Sequence, residues 1–252
     1  MTAIEVAQIA ISLAIGACVQ STLGFGMGMV ATPLLVWNGG FTLPQAIGML
    51  VPNILAQTLF GCWRYRRELP WDAVWEVCAY RYLGLPAGVI ALVFVAEQGA
   101  DASRAVLGAG LLIALIVQQV RPANSSQVPP GHVATFTASF SSGFLAGVVG
   151  MGGPPLVLWV MQQNWSSSRQ RSFLWLSFLL VMPIQIAMMS YNFGREWLVA
   201  LGAGMLIVPV TLAIAAIVGR WADRLSKERL RFGMRLFLLI IAVRLIVQWV
   251  RN

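Results

Sequence analysis

The residues of this chain best placed to do chemistry carry no charge. They are glycines, amides and hydroxyls gathered in two runs. The first is Gln20-Ser-Thr-Leu-Gly-Phe-Gly-Met-Gly28, followed by Ala31-Thr-Pro-Leu-Leu35. The second is Gly143-Phe-Leu-Ala-Gly-Val-Val-Gly-Met-Gly-Gly-Pro-Pro155. Each run interrupts a long apolar stretch near its middle, so each reads as one helix ending and another beginning. The first N–H groups of a starting helix have no intrahelical partner and carry partial positive charge. Together with glycine, which lets a ligand approach the backbone closely, they form an anion cradle that needs no buried lysine or arginine. Gly24, Gly26 and Gly28 are the candidates at the first break, and Gly150, Gly152 and Gly153 at the second. Pro154 fits a first helical turn, where its missing donor costs nothing. Close helix packing in lipid is the competing reason for such glycines.

Polar side chains could complete the site. Gln20, Ser21 and Thr22 precede the first break, and Ser139, Ser141 and Ser142 precede the second. For each hydroxyl the alternative is a bond to its own helix. Asn53 and Gln57 share one face of an apolar segment, and buried amides need partners, either a ligand or a neighbouring helix. Ser177 and Gln185 lie in the counterpart segment of the second half. Arg244 sits among Ile241, Ala242, Val243 and Leu245, and an intramembrane charge is a functional candidate, here for substrate attraction. Arg81, in the first half of its segment, is expected to snorkel to the nearer interface. No aspartate or glutamate occupies the middle of a segment, which weighs against a carboxylate-lined cation pore and a dedicated proton relay.

The elements that must position these residues are membrane spans. Of 252 residues, 58% are hydrophobic and only 10% are charged. A soluble domain carries about a quarter charged residues. No charge occurs from Val6 to Trp63, from Val133 to Ser168 or from Ser172 to Gly194. Such stretches exceed the ~20 residues that cross the hydrocarbon. Apolar segments are expected at 7–22, 27–37, 42–62, 73–95, 103–120, 132–148, 153–163, 172–190, 197–219 and 233–250. The net charge of +8 resides mostly in short loops, so it signals topology and not nucleic acid. Cys18, Cys62 and Cys78 have no metal spacing, and a disulfide framework is not expected. The amino terminus lacks the basic region of a cleavable signal peptide.

Loop charge sets the expected orientation. Arg64, Arg66 and Arg67, then Arg169 and Arg171, then the basic run from Arg220 to Arg235 are placed in the cytoplasm by the positive-inside rule. The loops holding Glu97 and Asp101, and Arg195 with Glu196, are placed outside. The two glycine-broken stretches then become hairpins entering from opposite faces. The expected fold class is an all-α polytopic membrane protein of two inverted repeats, each a glycine-broken helical hairpin plus three transmembrane helices. Residues 1–120 form the first repeat, 121–131 a cytoplasmic linker and 132–252 the second repeat. Inverted repeats with broken helices are a recurring transporter plan.

These features resemble the sulfite exporter TauE/SafE family, also called the toluenesulfonate uptake permease family. The resemblance rests on Gly24-Phe-Gly-Met-Gly28 with Pro33-Leu-Leu, and on the run from Gly143 to Pro155. Pro44-Gln-Ala46 leading to Asn53, and Trp63-Arg-Tyr-Arg66, add to it. The chain departs from the family's usual Gly-x-Gly-Gly-Gly by placing Met27 and Met29 in and beside the first glycine run. The resemblance implies a multi-pass permease of the bacterial inner membrane for small, mostly sulfur-containing anions such as sulfite, sulfonates or sulfoacetate. Secondary transport by alternating access is the expected mechanism. A passive anion channel and a non-transporting structural subunit are the alternatives. The expected partners are the anion and the bilayer, with proton or ion coupling left open, no nucleic acid, and a monomer or homodimer. No cofactor, metal site or enzymatic activity is expected, since the chain has one histidine and no convergent acids or nucleophiles.

Overall fold

A computed structural model describes residues 2–38, 40–119, 131–221 and residues 236, 239 and 240. Among the described residues every regular element is helical. They are α1 (Ala3–Leu23), α2 (Met27–Asn38), α3 (Leu43–Arg64), α4 (Trp71–Glu97), α5 (Ala100–Gln119), α6 (His132–Val149), α7 (Gly153–Met161) and α8 (Ser167–Trp221). Five of these are long and apolar enough to cross a membrane. The chain is therefore an all-α, multi-pass membrane protein. The expected segment 233–250, all of the expected linker but Gly131, and Arg244 lie outside the described residues.

Local chemistry explains where the helices start and stop. Thr2 and Thr42 each cap a helix, with Glu5 and Gln45 returning the bond to the cap's backbone N–H. These capping boxes satisfy donors that would otherwise be orphaned. At the interior ends, α1 stops at Gly24 (φ +84°) and α6 at Gly150 (φ +72°). Left-handed glycine caps of this kind close a helix without a Cβ clash. The returning helices are short. At 1.5 Å per residue, the 12 residues of α2 and the 9 of α7 rise about 18 Å and about 14 Å, against a hydrocarbon core of about 30 Å. Each glycine-broken stretch is thus a long arm with a half-length return.

The 55 residues of α8 form two arms folded at Gly194, whose backbone (φ 54°, ψ −135°) is not helical. Ala215 and Gly219 on the second arm line the same space as Arg171 and Trp175 on the first, so the arms run back alongside each other. The loop expected around Arg195 and Glu196 is in fact a turn at this single glycine.

Two helix pairs form the frame, α3 along α8 and α4 along α6. The second is knitted by glycine. A Cβ on Gly84, Gly88, Gly143 or Gly147 would fall within 2.6 Å of backbone oxygen on the facing helix. Small residues four apart allow this close approach, the usual means of helix association in lipid. The first pair uses an amide. Asn53 donates from Nδ2 to the carbonyls of Met49 (2.9 Å) and Gly204 (3.0 Å), and its Oδ1 accepts from Thr211 Oγ1 (2.8 Å). At one end, Arg169 pairs with Asp72 at 2.9 Å and Ser168 bonds Glu68, which ties the start of α8 to the α3–α4 connection. That arginine-bearing end is a landmark for the site.

Candidate anion-binding site

The two breaks meet. A Cβ on Gly28, in the first turn of α2, would lie 2.1 Å from the carbonyl oxygen of Gly150 at the end of α6. Only glycine allows this contact. Beside it is a small cavity of about 50 Å³. Room for a water needs roughly 10–15 Å³ on the same measure, so the space suits a small ion. Gln20, Gly26, Met27 and Gly28 line it from the first break. Gly150, Met151, Gly152 and Gly153 line it from the second. α8 closes the remaining side with Phe178, Met182 and Gln185.

The polar groups of this wall are two glutamine amides and glycine backbone. Val30 N–H bonds the Gly26 carbonyl, the first bond of α2, so Met27 and Gly28 precede the helical ladder. Gly26 holds φ at +105°, a conformation that side-chain-bearing residues rarely adopt. Gln20 is 3% exposed, and its Nε2 is buried without a hydrogen-bond partner. Gln185 Nε2 donates to the Ala146 carbonyl at 3.1 Å. At the second break Ser142 Oγ donates to the Gly152 carbonyl and pins the turn between α6 and α7. No ionisable side chain lines the cavity among the described residues. An unpartnered buried amide is costly, and helix starts are places where an anion can meet such a donor.

Seven of the residues singled out from sequence surround this cavity: Gln20, Gly26, Gly28, Gly150, Gly152, Gly153 and Gln185. Others lie elsewhere. Gly24 faces the side chain of Arg171, whose Cγ would be 3.0 Å from an added Cβ. Ser21 Oγ donates to the Ala17 carbonyl of its own helix at 2.6 Å. Ser141 is exposed. Ser177 Oγ donates to the Leu174 carbonyl. Asn53 is spent on the α3–α8 bonds. Gln57 donates to Met27 Sδ at 3.6 Å and lines a second cavity towards the arginine end, with Ser21, Arg64, Arg171 and Trp175.

Helical phase explains these placements. Phe178, Met182 and Gln185 stand at i, i+4 and i+7 on α8, so Ser177 is one residue off the lining face. Ile47, Leu50, Val51 and Ile54 make the same pattern on α3 and turn Asn53 to a neighbouring face, while Gln57, in phase with Leu50, lies two turns further along and meets Met27 from beyond the cavity.

One group near the cavity departs from expectation. Arg81 does not snorkel. It is 2% exposed, and Nη1 donates to the Ser177 carbonyl of α8 at 2.6 Å. Its guanidinium lies 5.0 Å from the ring centre of Phe178. The α4–α6 glycine contacts hold its backbone against Gly143, and the side chain turns to α8.

Comparison with known proteins places the chain among described relatives. A family model described as "Sulfite exporter TauE/SafE" matches residues 8–245. A protein of Cupriavidus necator described as "Probable sulfite/organosulfonate exporter TauE" is 25% identical over 210 residues, covering 82% of this chain and 80% of the relative. No solved structure matches.

Proposed function

The chain belongs to the sulfite exporter TauE/SafE family, and on that premise we propose that it carries a small sulfur-containing anion across the bacterial inner membrane by alternating access. The anion sits between the two breaks, held by Gln20, by the first N–H groups of α2, and by the glycine backbone of Gly152 and Gly153. The observation that carries this reading is the unpartnered Gln20 Nε2 in a wall shared by both breaks. The Cupriavidus necator relative, described as a sulfite/organosulfonate exporter, supports the substrate class.

Three separate spaces support a carrier over an open channel. The cavity between the breaks shares no lining residue with the one near Arg64 and Arg171, nor with one at the opposite end bounded by Thr42, Arg104 and Glu196. Towards the arginine end, Met27 and Gln57 stand between cavities. Towards the other, Trp197 packs on Gly48. The arginine end is the cytoplasmic one by the positive-inside rule. In this reading residues 1–120 and 132–252 are the two inverted halves, and rocking of one against the other opens the site to each side in turn.

Flux into proteoliposomes tests the reading. Radiolabelled sulfite should enter saturably and faster against internal sulfite. Conductance near diffusive rates would replace the carrier with a channel. No flux and no anion-induced rise in melting temperature would remove the transport reading altogether.

A further inference from the structure

We propose that Arg81 is the charge the transported anion pairs with, a specificity-determining residue that acts on the cavity through the side-chain-free wall at Gly152. The inference rests on the anion site described above and adds the source of its positive charge.

The geometry points one way. A Cβ placed on Gly152 would lie 3.4 Å from Arg81 Nη2. Gly152 lines the cavity, so only a glycine backbone separates the guanidinium from it. Any larger residue at position 152 would meet the Ser142 carbonyl at 2.8 Å and Ala146 Cβ at 3.0 Å, and would stand between charge and cavity. Phe178 completes the arrangement, touching the guanidinium and lining the same space.

The charge has no counter-ion among the described residues. Its hydrogen bond is to a neutral carbonyl, and Nε is buried with no partner. The nearest acid on its own helix, Glu76, bonds His132 instead. A buried cation without an anion is expensive, and membrane proteins keep such groups where a mobile ion completes them. The second break also needs it. α7 begins Gly153-Pro-Pro, and the two prolines remove two of the N–H donors that α2 presents at the equivalent turn. The guanidinium supplies by charge what that helix start lacks in donors.

A merely structural role, in which Arg81 cements α4 to α8, makes different predictions. Purified wild-type protein, Arg81→Met and Arg81→Lys are titrated with sulfite, with neutral dimethyl sulfone as a shape control. Melting temperature and calorimetric affinity are read. Opposite charges a few ångströms apart across a low-dielectric wall change affinity by about tenfold or more. Arg81→Met should therefore weaken sulfite at least about tenfold, leave the sulfone unchanged and, without ligand, melt no lower than wild type. Arg81→Lys should retain sulfite affinity within about threefold. Equal sulfite affinity in Arg81→Met, or an equal loss in both variants, overturns the proposal. Should Arg81→Met not fold, Gly152→Ala decides: a methyl in the wall should weaken sulfite several-fold, and unchanged affinity overturns the proposal. If the wild type itself shows no anion binding, the site reading fails and Arg81 falls with it.

Discussion

The two glycine breaks are alike in sequence and unlike in chemistry. The first starts α2 with Met27 and Gly28, both able to present N–H groups, and sets Gln20 Nε2 beside them. The second starts α7 with Gly153 and two prolines, is pinned by Ser142, and has Arg81 behind it. One break offers hydrogen bonds and the other offers charge. An anion between them would draw on both where the two meet, at Gly28 and Gly150.

Substitutions can break or sharpen this contrast, beginning with the contact itself. Gly28→Val would drive a side chain into the Gly150 carbonyl. Overpacking costs about 1–3 kcal/mol and occasionally more, and here the obstacle is backbone, so the protein should lose its monodisperse peak on size exclusion along with its flux. Gly26→Val is next. The φ of +105° makes any side chain strained there, by about 1–3 kcal/mol. Insertion should survive while sulfite flux falls at least about tenfold, since α2 would start in the wrong place. Normal flux would show that the start of α2 has no part in binding.

Gln20→Leu removes the unpartnered donor without touching either backbone. A hydrogen bond to a charged group is worth about 1.5–3 kcal/mol, so sulfite affinity should fall roughly tenfold or more with little change in unliganded melting. Asn53→Leu sets the baseline outside both breaks. It strips Thr211 and the Gly204 carbonyl of a buried partner, so stability should fall by about 1–3 kcal/mol with KM unchanged. A shifted KM would return Asn53 to the site. The smallest effect is expected from Pro154→Ala, which restores one donor to the second break. Sulfite should bind a few-fold tighter, within the 0.3–1 kcal/mol or so of a helix-terminus interaction. Weaker binding would mean that the start of α7 does not face the ligand.

The helical fold and the two breaks could be read from apolar run length, glycine clusters and loop charge, because those patterns are local. What lay against what could not. The partners of Asn53 are Gly204 and Thr211, far along the chain on another helix, and no spacing connects them. Arg81 misled for the same reason. Ten residues into a span, an arginine can reach an interface unless a neighbour engages it first, and here the neighbours are the Ser177 carbonyl and Phe178 of α8. Polarity points to Ser177, while the cavity follows the apolar phase of Phe178 and Met182 on the same helix.

The claim that both breaks build one anion site is tested most directly by anomalous diffraction from crystals grown with selenite, the selenium counterpart of sulfite. One selenium peak is expected within hydrogen-bond distance of Gln20 Nε2, between Gly28 and Gly152. A peak confined to the cavity near Arg64 and Arg171, with none between the breaks, would contradict it.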